Sequence, residues 1–340
     1  MAIKQLTFRL NYLSLFIFSF FTTTSLLSEE VSSQQRCLLE QMEQLSEETT
    51  IGEIKRLCEK KLQAKESNKS SSLTQSKPTQ FGIERLAFTP HKANYLLPIS
   101  YNDSPNSEPY DDSFSEANIN KMEVIFQLSS KMLIYENLLG DNGDLYGAYT
   151  GRFWWQAYNN DLSSPFREAN HEPELFLDFK THYQWGDWNL TNIIYGMVHQ
   201  SNGRSLPLSR SWNRLYMLFK LENEQAWVHF KPWFRVPEDE KPAIDNPKGD
   251  DNPDIDDYMG YFELNVGYEF DKHHLSAMVR NNLRADNKGA LQLDWTFPIW
   301  DLTDVRGYIQ YFNGYGESMI DYNAVSNRFS IGFIMSEKGQ

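Results

Sequence analysis

The stretch NIIYGMVHQSNGRSLPLSRSWNRLYM, residues 192–217, reads as a strand, a turn and a second strand. Side chains two apart on a strand share a face. Ile193, Tyr195 and Met197 therefore share theirs with His199 and Ser201, so a polar pair sits among apolar residues. After the turn, Asn213 has the parity of Leu215 and Met217, opposite to Arg214 and Tyr216. The fold depends on what that apolar face meets, and on why it carries a histidine, a serine and an asparagine.

The period of two continues along most of the chain. Val124, Phe126 and Leu128 alternate with Glu123, Gln127 and Ser129; Leu175, Leu177 and Phe179 alternate with Glu174, Asp178 and Lys180. The same alternation recurs around Val228–Phe234, Leu264–Tyr268, Leu291–Phe297, Val305–Tyr311 and Phe329–Phe333. There are roughly twelve such segments of about ten residues, the length a tilted strand needs to cross a bilayer. Arg, Lys and Glu recur together on the polar face. That suits a narrow barrel lumen filled by ion-paired side chains, with the apolar face toward lipid. Long connections at 102–121, 158–172, 202–209, 236–257, 284–288 and 314–326 alternate with tight ones near 185–187, 222–224, 271–272 and 300–302. Only the 134–143 link is long for its class. Long outer loops and short periplasmic turns are the outer-membrane pattern. The fold expected is all-β, a twelve-stranded antiparallel transmembrane β-barrel, preceded by a small helical hairpin.

Bulk properties agree. The 340 residues carry a formal charge of −14 with pI near 5.0, which argues against a nucleic-acid partner. The 18 Tyr and 9 Trp accompany a mean hydropathy of −0.58, unlike a helical membrane protein and suited to a barrel with aromatic girdles. Residues 1–28 read as a signal peptide, with Lys4 and Arg9 before the apolar run Leu13–Phe21. Residues 29–63 have helical spacing. Thr50 and Glu53 form a capping box, and Cys37–Cys58 is the expected disulfide of a hairpin in the periplasm. Residues 64–83 are a Ser-rich linker, and the barrel occupies 84–340. The acidic loop 237–257 is either a solvated loop or a divalent-cation site.

On the apolar face, the short loop after Ser201 brings the second strand back alongside the first, antiparallel. Asn213 then lies beside His199 and Ser201. Serine, histidine and an orienting third group are the logic of nucleophilic acyl transfer. Asn can hold the histidine without burying a further charge. Taken singly, His199 could equally be an interfacial girdle residue, and Ser201 and Asn213 neighbours of a turn.

HQSNGRSLPLSRSWNRLY, residues 199–216, resembles the active-site signature of the outer-membrane phospholipase A family of Gram-negative bacteria. FWWQ at 153–156, SSPFRE at 163–168, EPELFL at 172–177, KPW at 231–233, DDNPD at 250–254, YMGY at 258–261 and YGESMIDYN at 315–323 extend the likeness over about residues 84–336. The resemblance implies calcium-dependent hydrolysis of phospholipid and lysophospholipid acyl esters, at either glycerol position, in the outer leaflet of the outer membrane. It implies Ser201 as nucleophile, His199 as base and then acid, Asn213 as the residue orienting His199, and the Gly203 N–H as oxyanion donor. It implies Ca2+ ligands at the Arg204 carbonyl, at Ser209 and, from the second subunit of an active homodimer, at the carbonyl equivalent to that of Ser163, with Asp251 as a further position. Leu206 stands where family members can have an acid, and Gly151 where they can have Gln at the dimer interface. The competing expectation is a barrel without enzymatic activity, a pore or a structural protein.

Overall fold

The computed structural model describes residues 87–335 apart from 111–118, 162, 244–245, 247, 300–301 and 303. The expected signal peptide, hairpin, Cys37–Cys58 bridge and linker lie outside the described residues. The strands are β1 (Phe88–Pro90), β2 (Tyr95–Asn102), β3 (Met122–Tyr135), β4 (Asp144–Trp155), β5 (Phe166–Trp185), β6 (Trp188–Ser201), β7 (Ser211–Glu222), β8 (Ala226–Val236), β9 (Phe262–Phe270), β10 (His273–Asn281), β11 (Gly289–Pro298), β12 (Val305–Tyr315) and β13 (Val325–Met335). From β2 onward each strand pairs antiparallel with the next, and β13 pairs back onto β2. This closes a twelve-stranded barrel and leaves no edge, as spanning hydrocarbon with strands requires. The short β1 pairs with the far end of β3, Phe88 opposite Met132. It continues the line of β2 across a break at 91–94. At that break Lys92 reaches into the lumen, its Nζ 2.7 Å from Glu172 and 2.8 Å from Glu174, and His91 Nε2 lies 3.0 Å from Glu174.

The alternation read from sequence is the alternation observed. Leu128, Leu175, Tyr195, Met197, Leu215 and Phe234 point out and are exposed, while Ser129, Glu174, Arg214, Arg280 and Arg328 point in and are buried. At the outer end the lumen is closed by ion pairs. Arg167 bonds Glu123 at 2.6 Å and Asp321 at 2.7 Å; Arg328 bonds Glu123 at 2.9 Å and Glu317 at 2.6 Å. Each charge has an opposite neighbour, without which burying it would be prohibitive.

Two connections differ from expectation. The segment 158–172 is strand over its second half, since β5 begins at Phe166. Its run of Arg167, Glu168 and Asn170 looked like loop because it is polar, yet these residues face the sealed lumen mouth and are buried. The loop after β8 contains a short helix, α1 (Ile255–Met259), whose Ile255 and Met259 pack into a core with Trp212 and Trp233. Apolar side chains within an acidic stretch thus form the inner surface of that loop.

Candidate active site on the outer face of the barrel

Strands β6 and β7 pair with Met197 opposite Leu215, His199 opposite Asn213 and Ser201 opposite Ser211. Directly opposed residues on one face lie about 4.5–5.5 Å apart at Cβ, close enough for side chains to bond. His199 Nδ1 and Asn213 Oδ1 are 2.8 Å apart. An amide oxygen only accepts, so Nδ1–H is the donor in this pair; in the neutral ring that leaves the lone pair on Nε2. Asn213 Nδ2 in turn donates to Glu238 Oε1 at 3.1 Å. Ser201, half-buried at the end of β6, lies two residues from His199 on the same face, with His171 of β5 opposite it on the other side. Tyr149 Oη and His171 Nδ1 are 2.6 Å apart.

The floor beneath this row is rigid. Trp212, wholly buried, donates Nε1–H to Gln200 Oε1 at 2.8 Å, and Arg214 donates to the same oxygen at 2.9 Å. The Arg214 guanidinium lies 4.0 Å over the Trp212 ring, and Trp212 meets Trp233 edge to face at 6.1 Å. A desolvated cation–π contact is worth about 2 kcal/mol, and an aromatic pair about 1 kcal/mol beyond its burial.

The loop from Asn202 to Arg210 is tied by one side chain. Asn202 Oδ1 accepts from the N–H of Arg204 (3.3 Å) and of Arg210 (3.0 Å), and Nδ2 donates to Leu208 C=O at 2.8 Å. Arg204 Nη2 donates to the carbonyls of Phe166 (3.1 Å) and Arg167 (2.6 Å), docking the loop on β5. Gly203 adopts φ +63°, a region where a side chain is strained.

Along the same outer surface, below the polar row, runs an open apolar groove of about 570 Å³. Leu145, Leu175, Tyr195, Met197, Leu215 and Phe234 are among its walls. A nucleophile-type constellation at the head of a groove shaped for hydrocarbon, on the face of a barrel that meets lipid, is the setting for an enzyme acting on membrane lipid. The family model for phospholipase A1 matches residues 71–335. The chain belongs to the phospholipase A1 family. The phospholipase A1 of Klebsiella pneumoniae is 42% identical over 248 residues, which cover 73% of this chain and 82% of that protein. Outer-membrane phospholipase A from Escherichia coli has a TM-score of 0.67 at 40% identity over 74% of this chain and 99% of its own. Its form with an active-site asparagine changed to alanine matches with the same TM-score. The calcium-bound dimer of the outer-membrane phospholipase of Salmonella typhi has a TM-score of 0.67 at 38% identity, covering 76% of this chain and 95% of that one. With the closed barrel, family membership makes this chain a phospholipase of the outer membrane.

The positions that the family resemblance marks for calcium divide into two groups. Ser209 Oγ donates to Asp251 Oδ2 at 2.5 Å, so these two are together. Ser163 stands in another loop, exposed, at φ +58°. Among the described residues no three His, Cys, Asp or Glu side chains gather as a metal cluster. Several acids of loop 237–257 instead have partners: Glu238 with Asn213, Asp250 with Arg235 (2.6 Å), Asp254 with Tyr322 (2.6 Å) and Asp257 with Arg284. The donors that remain, a hydroxyl, one carboxylate and backbone carbonyls, are all oxygen and fit a hard cation such as Ca2+. Lys241 forms an ion pair with Asp251 there. Burial, opposed in part by Arg235, raises the Asp256 carboxyl above its ordinary range.

Sequence reasoning reached His199, Ser201 and Asn213 through strand parity. It missed Glu238 and Lys241, which are embedded in an acidic loop without periodicity, and it read Asn202 only as part of a turn.

Proposed function

We propose that this phospholipase hydrolyses phospholipid and lysophospholipid acyl esters, at either glycerol position, through Ser201, His199 and Asn213, with Ca2+ and a homodimer required for full activity. The observation that carries the reading is the His199–Asn213 hydrogen bond on the lipid-facing surface. It presents a histidine with a free Nε2 on the face that also bears Ser201. Nε2 accepts the proton of Ser201 as Oγ forms a bond to the ester carbonyl carbon. The carbonyl oxygen becomes an oxyanion facing the Gly203 N–H. Collapse breaks the carbon–oxygen bond, and the imidazolium returns its proton to the departing alcohol, the lysophospholipid. A water molecule then repeats the sequence on the acyl-serine, releasing a fatty acid and restoring Ser201.

Ca2+, held by Ser209, the Arg204 carbonyl and the partner subunit's Ser163 carbonyl, with Asp251 nearby, would supply positive charge beside the oxyanion. Acyl chains would lie in the groove along Tyr195, Met197 and Leu215. Support for the dimer and the metal comes from the calcium-bound dimer of the Salmonella typhi protein. Support for Asn213 comes from the Escherichia coli protein, whose active site contains an asparagine. The N-terminal hairpin would sit in the periplasm, tied by Cys37–Cys58.

The deciding experiment measures fatty-acid release from phospholipid in mixed micelles by purified wild type and Ser201→Ala, with and without a calcium chelator. Loss of activity in the variant, and in wild type under chelation, is expected. An active Ser201→Ala sinks the nucleophile assignment; full wild-type activity under chelation sinks the metal.

A further inference from the structure

We propose that Glu238 is a positioning residue for the reaction, holding the Asn213 amide in the one orientation that prepares His199. The proposal rests on the reading of Ser201, His199 and Asn213 given above. An asparagine amide is nearly symmetric in shape, and a half-turn about its last torsion exchanges oxygen for NH2. With the oxygen toward His199, Nδ1 is held protonated and Nε2 is a base. With the NH2 there, Nδ1 becomes the acceptor and Nε2 carries the proton, so no base faces Ser201. His199 itself cannot choose, because its ring accommodates either partner.

A carboxylate can choose, because it only accepts. Glu238 Oε1 takes the hydrogen bond of Asn213 Nδ2 at 3.1 Å, and this directs Oδ1 to His199 Nδ1 at 2.8 Å. The backbone brings Glu238 to this place without help from Asn213. Val236 at the end of β8 is the register partner of Asn213, so Glu238 follows two residues later, above the amide. The loop neck is closed behind it by the Asp250 N–H donating to Asp239 C=O at 2.8 Å. Among residues 237–240 only Glu238 is drawn in from solvent; Pro237, Asp239 and Glu240 are exposed. The negative charge, relayed through the amide, also strengthens Oδ1 as an acceptor and favours the imidazolium that forms as Ser201 attacks. The effect therefore belongs to the chemical step and not to lipid binding.

The test is a double-mutant cycle on the full chain in phospholipid–detergent micelles with Ca2+, the folded barrel being verified by its heat-dependent gel mobility. Glu238→Ala is expected to lower kcat by about tenfold, the scale of one charge-assisted hydrogen bond, with KM within about twofold. Glu238→Gln keeps the reach but loses the charge, and its amide can offer NH2 as well as oxygen, so its kcat is expected to fall between those of Glu238→Ala and wild type. In an Asn213→Ala background, Glu238→Ala should change kcat by less than about twofold, because the two act through one hydrogen-bond chain. The proposal is overturned if Glu238→Ala leaves kcat at the wild-type level, if its loss appears in KM alone, or if the full loss persists without Asn213. Should Asn213→Ala alone be fully active, the reading of the three residues fails, and this proposal with it. If Asn213→Ala is impaired while Glu238→Ala is not, Glu238 alone is eliminated.

Discussion

Replacing Asn202 with alanine should unfasten the loop that carries Gly203 and leave the barrel closed. The residue is 3% exposed, and within the loop its side chain makes three hydrogen bonds of 2.8–3.3 Å, to the N–H of Arg204 and Arg210 and the carbonyl of Leu208, besides a longer one of 3.5 Å to Glu168. Each contributes about 1 kcal/mol net, so the variant loses roughly 3 kcal/mol of loop order. That corresponds to a shift of about a hundredfold between ordered and open loop. None of the three bonds belongs to a strand pair, and the register of β6 with β7 ends at Ser201 and Ser211, before the loop. The assay is kcat on micellar phospholipid beside limited proteolysis of the folded protein. The expected result is a drop in kcat of up to about a hundredfold, new cleavage within residues 202–210, and unchanged heat-dependent gel mobility. A variant with wild-type kcat and a protease-resistant loop would show that Arg204, bonded to the Phe166 and Arg167 carbonyls, is sufficient to hold the loop, and would refute the argument.

Other outcomes follow from the same contacts. Arg328→Met leaves Glu317 without its cation and Glu123 with Arg167 alone in the lumen mouth, and should cost about 3–5 kcal/mol in reversible unfolding from lipid or detergent; an unchanged midpoint would contradict the ionic closure. Lys241→Met removes the ammonium that competes for Asp251, and should tighten calcium by about tenfold, read by titrating a luminescent lanthanide. Equal affinity would mean that Asp251 takes no part in binding the metal. Asp256→Asn tests a carboxyl that burial raises. A raised carboxyl in the folded state favours its neutral form, so the ionised group opposes loop order above its folded pKa and ceases to do so as pH falls through that value. The asparagine variant should therefore slow proteolysis of loop 237–261 at neutral pH and lose that advantage in acid. A pH-independent difference would point to packing.

Strand parity made most of this barrel legible. Leu215 and Met217 against Arg214 and Tyr216 is a pattern that physical alternation imposes on any strand between lipid and a polar lumen. It placed His199, Ser201 and Asn213 on one face without reference to tertiary structure. The start of β5 was not legible, because Arg167, Glu168 and Asn170 are polar for the sake of a buried ion network whose members, Glu123, Asp321 and Arg328, come from distant strands and loops. Glu238 was not legible either: it is 25 residues from Asn213 and one acid among many.

What the sequence determined by itself is the class of fold and the direction in which each strand residue points, since a period of two is a local property of the chain. It also determined that a histidine and a serine share the lipid-facing side. The tertiary structure decided which nitrogen of His199 meets the Asn213 amide, which of the loop acids bonds Asn213, and how Asp251 is divided between Ser209 and Lys241. Those depend on distances between loops that close over the barrel mouth. Such distances arise only once strands β5 to β9 are in register, because hydrogen bonds between side chains are short-ranged and directional.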